Sequence, residues 1–161
     1  TAAENDAATE NDAATENDAA TEKDAANDAG TAQTSPPASK DAISWLQAKN
    51  YMTWQVESKV HKSSGPHDHT RTYVNDILFG SLTKGMASHP DGSVAVKEIY
   101  SSDMTTHKGW ALIIKKPGGD WYFYEALGLD GKGTIYDNSS FCVSCHKDSK
   151  KDHFKSPWPL Q

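Results

Sequence analysis

The chain changes its pattern of apolar and polar positions at about residue 40. Beyond Ser35-Pro36-Pro37, Ser39 is placed to cap a helix from Asp41 through Ile43, Trp45 and Leu46 to about Lys49, with Asn50 as its stop. The spacing then shortens to β-like runs. Ser93 to Tyr100 follows an Asp91-Gly92 turn, Trp110 to Ile114 runs up to Pro117-Gly118-Gly119, and Trp121 to Tyr124 follows directly. The Pro-Gly-Gly turn predicts an antiparallel hairpin from the last two runs. Gln55 to His61 and Arg71 to Ile77 are weaker strand candidates. The expected fold class is α+β, mainly an antiparallel β-sheet with an N-terminal helix.

Residues 1–40 read differently. Ala7-Ala8-Thr9-Glu10-Asn11-Asp12 recurs at 13–18 and, with Lys23 in place of Asn, at 19–24. No large apolar residue precedes Ile43. A six-residue period at about 100° per residue leaves no apolar stripe on a helix. Such a segment buries too little surface to offset the entropy of ordering it. The expectation is an acidic spacer at 1–40 and one compact domain at 41–161, with a specific docking element as the other reading of the tail.

Charge sharpens that division. Of 22 acidic residues nine lie in 1–40 against two lysines, leaving thirteen acidic and fourteen basic residues beyond. A neutral domain without a basic block argues against nucleic-acid binding. No run approaches the roughly eighteen apolar residues of a membrane span. The chain begins at Thr1 rather than at a methionine, which suggests a removed targeting segment.

Both cysteines fall in Phe141-Cys142-Val143-Ser144-Cys145-His146. Two thiols three positions apart, followed at once by histidine, form the c-type haem attachment motif. The thiols add to the two vinyl groups of one haem, and the histidine becomes the proximal iron ligand. The alternatives are a thiol-redox disulfide or half of a zinc site completed by histidines. Two cysteines are too few for a four-thiolate zinc site or a multi-disulfide scaffold.

The order of Trp45-Leu46, Tyr73-Val74-Asn75, Pro90-Asp91-Gly92-Ser93-Val94-Ala95-Val96-Lys97-Glu98, Gly109-Trp110, Trp121-Tyr122-Phe123, the CxxCH run and Pro157-Trp158-Pro159-Leu160 resembles the cytochrome P-460 family, whose relatives include the cytochromes c′-beta. The resemblance covers residues 41–161. It implies a sheet-rich mono-haem domain, periplasmic and commonly a homodimer, that transfers electrons or binds small nitrogen ligands such as nitric oxide. Cys142 and Cys145 would hold one haem c, with His146 as proximal ligand. Catalytic members oxidise hydroxylamine and carry a haem-crosslinked lysine and a distal carboxylate. The lysine is expected at or near Lys84, where the plain alternative is an exposed loop lysine. Counted without gaps, the carboxylate position reads Ile114, which cannot relay protons. The oxidoreductase reading then depends on Glu98 or Glu125 substituting from another strand.

His67, His69, Met104 and His107 are the candidates for the distal ligand. His67 and His69 would share one face of a strand, or stand as two solvated imidazoles if Ser63-Ser64-Gly65-Pro66 places them on a turn. His153 follows His146 too closely to reach the opposite haem face easily. The four lysines between Lys147 and Lys155 suggest either a solvated charge run or a docking patch for an acidic redox partner. Bis-histidine or His/Met ligation would mean electron transfer, and an open face would mean ligand binding or chemistry.

Overall fold

The computed structural model describes residues 35–131 and 135–161, with the side chains of 135–137 left aside. The six-residue repeats lie outside the described residues. The first helix, α1 (Ala42–Gln47), is shorter than expected. Asp41 occupies its N-cap without a side-chain cap bond, and the Ser39 hydroxyl accepts from the Asp41 N–H instead. The chain breaks at Lys49, which takes φ 55°.

Among the described residues seven strands follow, all paired antiparallel: β1 (Gln55–Val56), β2 (His61–Lys62), β3 (His69–Val74), β4 (Val94–Tyr100), β5 (His107–Lys115), β6 (Trp121–Ala126) and β7 (Ile135–Asp137). The sheet order is β1-β3-β4-β5-β6-β7, with β2 also paired to β3. The expected hairpin is present, with Lys115 opposite Trp121 across the Gly118-Gly119 turn. The α+β class with a mainly antiparallel sheet therefore holds. The weak candidate 55–61 splits into two short strands, and 71–77 ends early.

It ends early because Asn75 starts a helix, α2 (Asp76–Thr83). The Asn75 side chain accepts from the Leu78 N–H and, across the loop, from the Val94 N–H. The signal was legible as a capping asparagine with Asp76 in the first turn. A third helix, α3 (Ser140–His146), carries the CxxCH residues, capped by Ser139.

Alternation along the strands separates two faces. On one, Trp45, Leu46, Tyr51 and Trp54 pack over Tyr73, Val94, Val96, Trp110, Leu112, Ile114, Tyr122 and Tyr124. Glu98 is buried within this aromatic layer, where Tyr51, Tyr73 and Tyr100 donate to it at 2.8, 3.1 and 2.7 Å. Burial, reinforced by that carboxylate, raises all three phenols, Tyr73 to about 12, so they stay protonated donors. Gly109 is required by close approach, since a Cβ there would stand 2.0 Å from the Ala126 carbonyl oxygen.

The other face carries Val74, Ala95, Ile113, Trp121 and Phe123, covered in part by Leu78 and Leu82 of α2 and by Phe154. Cys142 of α3 packs against this cluster.

Candidate functional site

A cleft of about 830 Å3, counting the solvent at its mouth, lies between this second face, α3 and the loop from Ser63 to His67. The β4–β5–β6 register explains its floor. Ala95, Ile113 and Phe123 form one cross-strand row, and Lys97, Ala111 and Glu125 form the next. The two alanines withhold side-chain volume in the centre of the sheet, while the opposite face is filled with large rings.

Cys142, Cys145 and His146 line the cleft from α3. The thiols are partly buried and form no disulfide. Ser139 Oγ donates to Cys142 Sγ at 3.1 Å, and Lys155 Nζ stands 3.6 Å from Cys145 Sγ. His146 is buried, with its ring 5.0 Å from that of Phe123. Its Nδ1–H donates to the His153 carbonyl at 2.7 Å, which leaves the lone pair on Nε2. Burial outweighs that bond and brings the imidazole down to about 4, with the Lys97 charge adding to the effect. It is neutral at physiological pH, as a metal-ligating histidine must be.

The turn that supplies the His153 carbonyl is itself pinned. Asp152 and His153 take φ 41° and 70°. Asp152 Oδ2 accepts from His89 N at 2.8 Å, Lys115 Nζ at 3.0 Å and Ser88 Oγ at 3.1 Å, and Oδ1 accepts from Trp121 Nε1 at 3.2 Å. Burial alone would raise this carboxyl, but the donated bonds and the Lys115 charge outweigh it and hold it at about 2. His153 thus acts through its backbone, and its ring packs against Trp121 and Phe123.

Of the four distal candidates, His67 alone lines the cleft. It precedes β3 on a turn, and Asp68 at φ 57° breaks any strand alternation with His69. His67 Nδ1–H donates to Glu125 Oε1 at 2.8 Å. His69 bonds its neighbour Asp68 at 2.9 Å. Met104 is half exposed in a loop, and His107 packs against Tyr100 and Trp110 on the aromatic side.

Lys84 is the exposed C-cap of α2 and does not line the cleft. The lysine that does so from the sheet is Lys97, brought down to about 8 chiefly by burial. Ile114 belongs to the aromatic core, so a carboxylate introduced there would face Trp45 and Tyr122 rather than the cleft. Counting along one strand missed this, because adjacent positions face opposite sides. Glu98 is consumed by the tyrosines, and Glu125 is the acid that lines the cleft. The lysine run is divided: Lys147 and Lys150 are exposed, whereas Lys151 donates to the Ser156 carbonyl and Lys155 turns toward Cys145.

Among the described residues, no group of three or more His, Cys, Asp or Glu is placed to hold a metal ion, and no helix is long and apolar enough to cross a membrane. Comparison with known proteins finds no family model that matches this chain and no curated protein that matches it.

Proposed function

We propose that residues 41–161 form a mono-haem c-type cytochrome domain of the cytochrome P-460 type, exported, that carries electrons or binds small nitrogen ligands such as nitric oxide. The observation that carries this reading is the convergence of Cys142, Cys145 and a neutral His146 on one wall of a cleft floored by Ala95 and Ala111. The residues fit the group. Cys142 and Cys145, three positions apart on one helix, would carry the two thioether bonds, the His153 carbonyl leaves the His146 Nε2 free to ligate, and Ala95 and Ala111 keep the floor beneath them low. When bound, haem would be held by Cys142, Cys145 and His146 and would supply a redox-active iron. Ile113, Phe123 and Phe154 would shield it from water, and Lys147 and Lys150 would meet an acidic redox partner. A homodimer remains part of the proposal through the family resemblance.

One observation favours a second reading, a hydroxylamine or nitric oxide oxidoreductase with a lysine-crosslinked haem. Lys97 and Glu125 share a cross-strand row on the cleft floor. Lys97 then replaces Lys84 as the crosslink candidate, and Glu125 replaces position 114 as the distal acid able to move a proton. A zinc module has no cluster to support it among the described residues.

The test is denaturing mass spectrometry of the protein purified from a host with a haem c attachment system, with a visible spectrum of the same sample. A mass increase of one haem, with both thiols blocked, is expected. A bare mass with two titratable thiols refutes the proposal. A haem that stays attached in a Cys142→Ala/Cys145→Ala protein would favour the lysine crosslink.

A further inference from the structure

Two imidazoles far apart in the chain line the same cleft, and each has its Nδ1 committed. His146 donates to the His153 carbonyl at 2.7 Å and His67 to Glu125 Oε1 at 2.8 Å. A ring bonded in this way keeps its lone pair on Nε2. A carbonyl or carboxylate on the far nitrogen is also the support that a metal-bound histidine takes. The two ring centroids stand 6.4 Å apart, with planes inclined at 60°. Two imidazoles bound through Nε2 to opposite sides of one metal would have centroids about 6 Å apart, from two metal–nitrogen bonds of about 2 Å and two ring radii of about 1 Å. The observed separation is close to that value.

Both supports are rigid. Glu125 lies within β6, paired on both sides to Ala111 and Tyr136. The turn carrying His67 is closed by Ser63 N donating to the Asp68 carbonyl at 2.7 Å and by Gly65 N donating to Ser63 Oγ at 3.1 Å. The carboxylate is therefore set by the sheet and the imidazole by a loop stapled to itself.

We propose that His67, oriented by Glu125, is the sixth ligand of the haem iron, opposite His146. The proposal rests on the haem reading above and narrows it. With both axial positions filled by imidazole, the domain is an electron carrier, and a small nitrogen ligand enters only by displacing His67. Glu125 is then a positioning residue that strengthens the donor power of His67, rather than a proton relay.

The experiment uses the full-length haem-loaded protein. Wild type is expected to be low-spin in both oxidation states and to resist carbon monoxide when reduced. His67→Ala is expected to lose the low-spin signature, shift the Soret band and bind carbon monoxide, and added imidazole is expected to restore the low-spin spectrum. His69→Ala is expected to match wild type. Glu125→Gln is expected to raise the reduction potential, and an unchanged potential would remove Glu125 from the proposal. A high-spin wild-type spectrum, or a low-spin spectrum retained in His67→Ala, overturns the assignment. If His67→Ala does not accumulate, near-infrared magnetic circular dichroism of wild type reads the ligand pair directly: bis-imidazole supports the assignment and any other pair overturns it. Covalent haem with a high-spin spectrum would defeat only this inference, whereas a bare polypeptide mass would defeat the cytochrome reading beneath it.

Discussion

Asp152→Asn tests whether the turn behind His146 is held by charge. The wild-type carboxylate accepts four hydrogen bonds, one from Lys115, whose side chain is 6% exposed while that of Asp152 is 15% exposed. Holding the carboxyl at about 2 in place of the ordinary 3.8 corresponds to about 2.5 kcal/mol at about 1.36 kcal/mol per pH unit. Solvent screening at this partly open site reduces that to about 1–2 kcal/mol. The folded-state value lies below the unfolded one, so the contribution is complete above pH 3.8 and disappears as pH falls through about 2. Asparagine keeps the shape and one acceptor but not the charge. Urea unfolding followed by tryptophan fluorescence is therefore expected to show the variant about 1–2 kcal/mol less stable at pH 7. The gap should narrow to a few tenths of a kcal/mol near pH 2. Equal midpoints at pH 7, or a gap that persists undiminished at pH 2, would refute the reasoning. On the proposed haem reading the variant also loosens the His153 carbonyl behind His146, and haem absorption bands should broaden.

Two further substitutions separate the faces of the sheet. Glu98→Ala leaves three tyrosine hydroxyls without their shared acceptor and should cost about 3 kcal/mol or more by urea unfolding, at about 1–3 kcal/mol for each donor left unsatisfied. Glu98→Gln should cost about half of that or less, and neither should alter the visible spectrum, because this layer lies across the sheet from the cleft. If the domain holds haem as proposed, Ala111→Leu should do the reverse: haem absorbance per chain falls, while the stability of the haem-free protein changes by less than about 1 kcal/mol, since the added carbons enter an open cleft. Unchanged haem content in Ala111→Leu would show that the alanine floor is not the seat of the cofactor.

Local patterning determined a good deal of this protein. Period-two alternation and turn chemistry located β4, β5 and β6, because a side chain's face follows from its position on a strand and a Gly-Gly turn admits positive φ with no steric cost. Asn75 and Asp76 carry the capping chemistry that starts α2, and the strand expectation for Arg71 to Ile77 ran through them. The CxxCH run was equally legible, since its chemistry is confined to five consecutive residues.

What only the tertiary structure decided is which distant residues share the cleft. Lys97, Ala111 and Glu125 meet through strand register, whereas Ile114, of the opposite parity on β5, faces the aromatic core. His67 was one of four equivalent candidates until the Glu125 bond and the closed Ser63–Asp68 turn set it beside His146. Covalent spacing along a chain constrains neighbours within a few residues. Contacts between residues 67, 97, 125 and 146 depend on how the sheet pairs and how α3 packs on it, and that is a property of the whole folded domain.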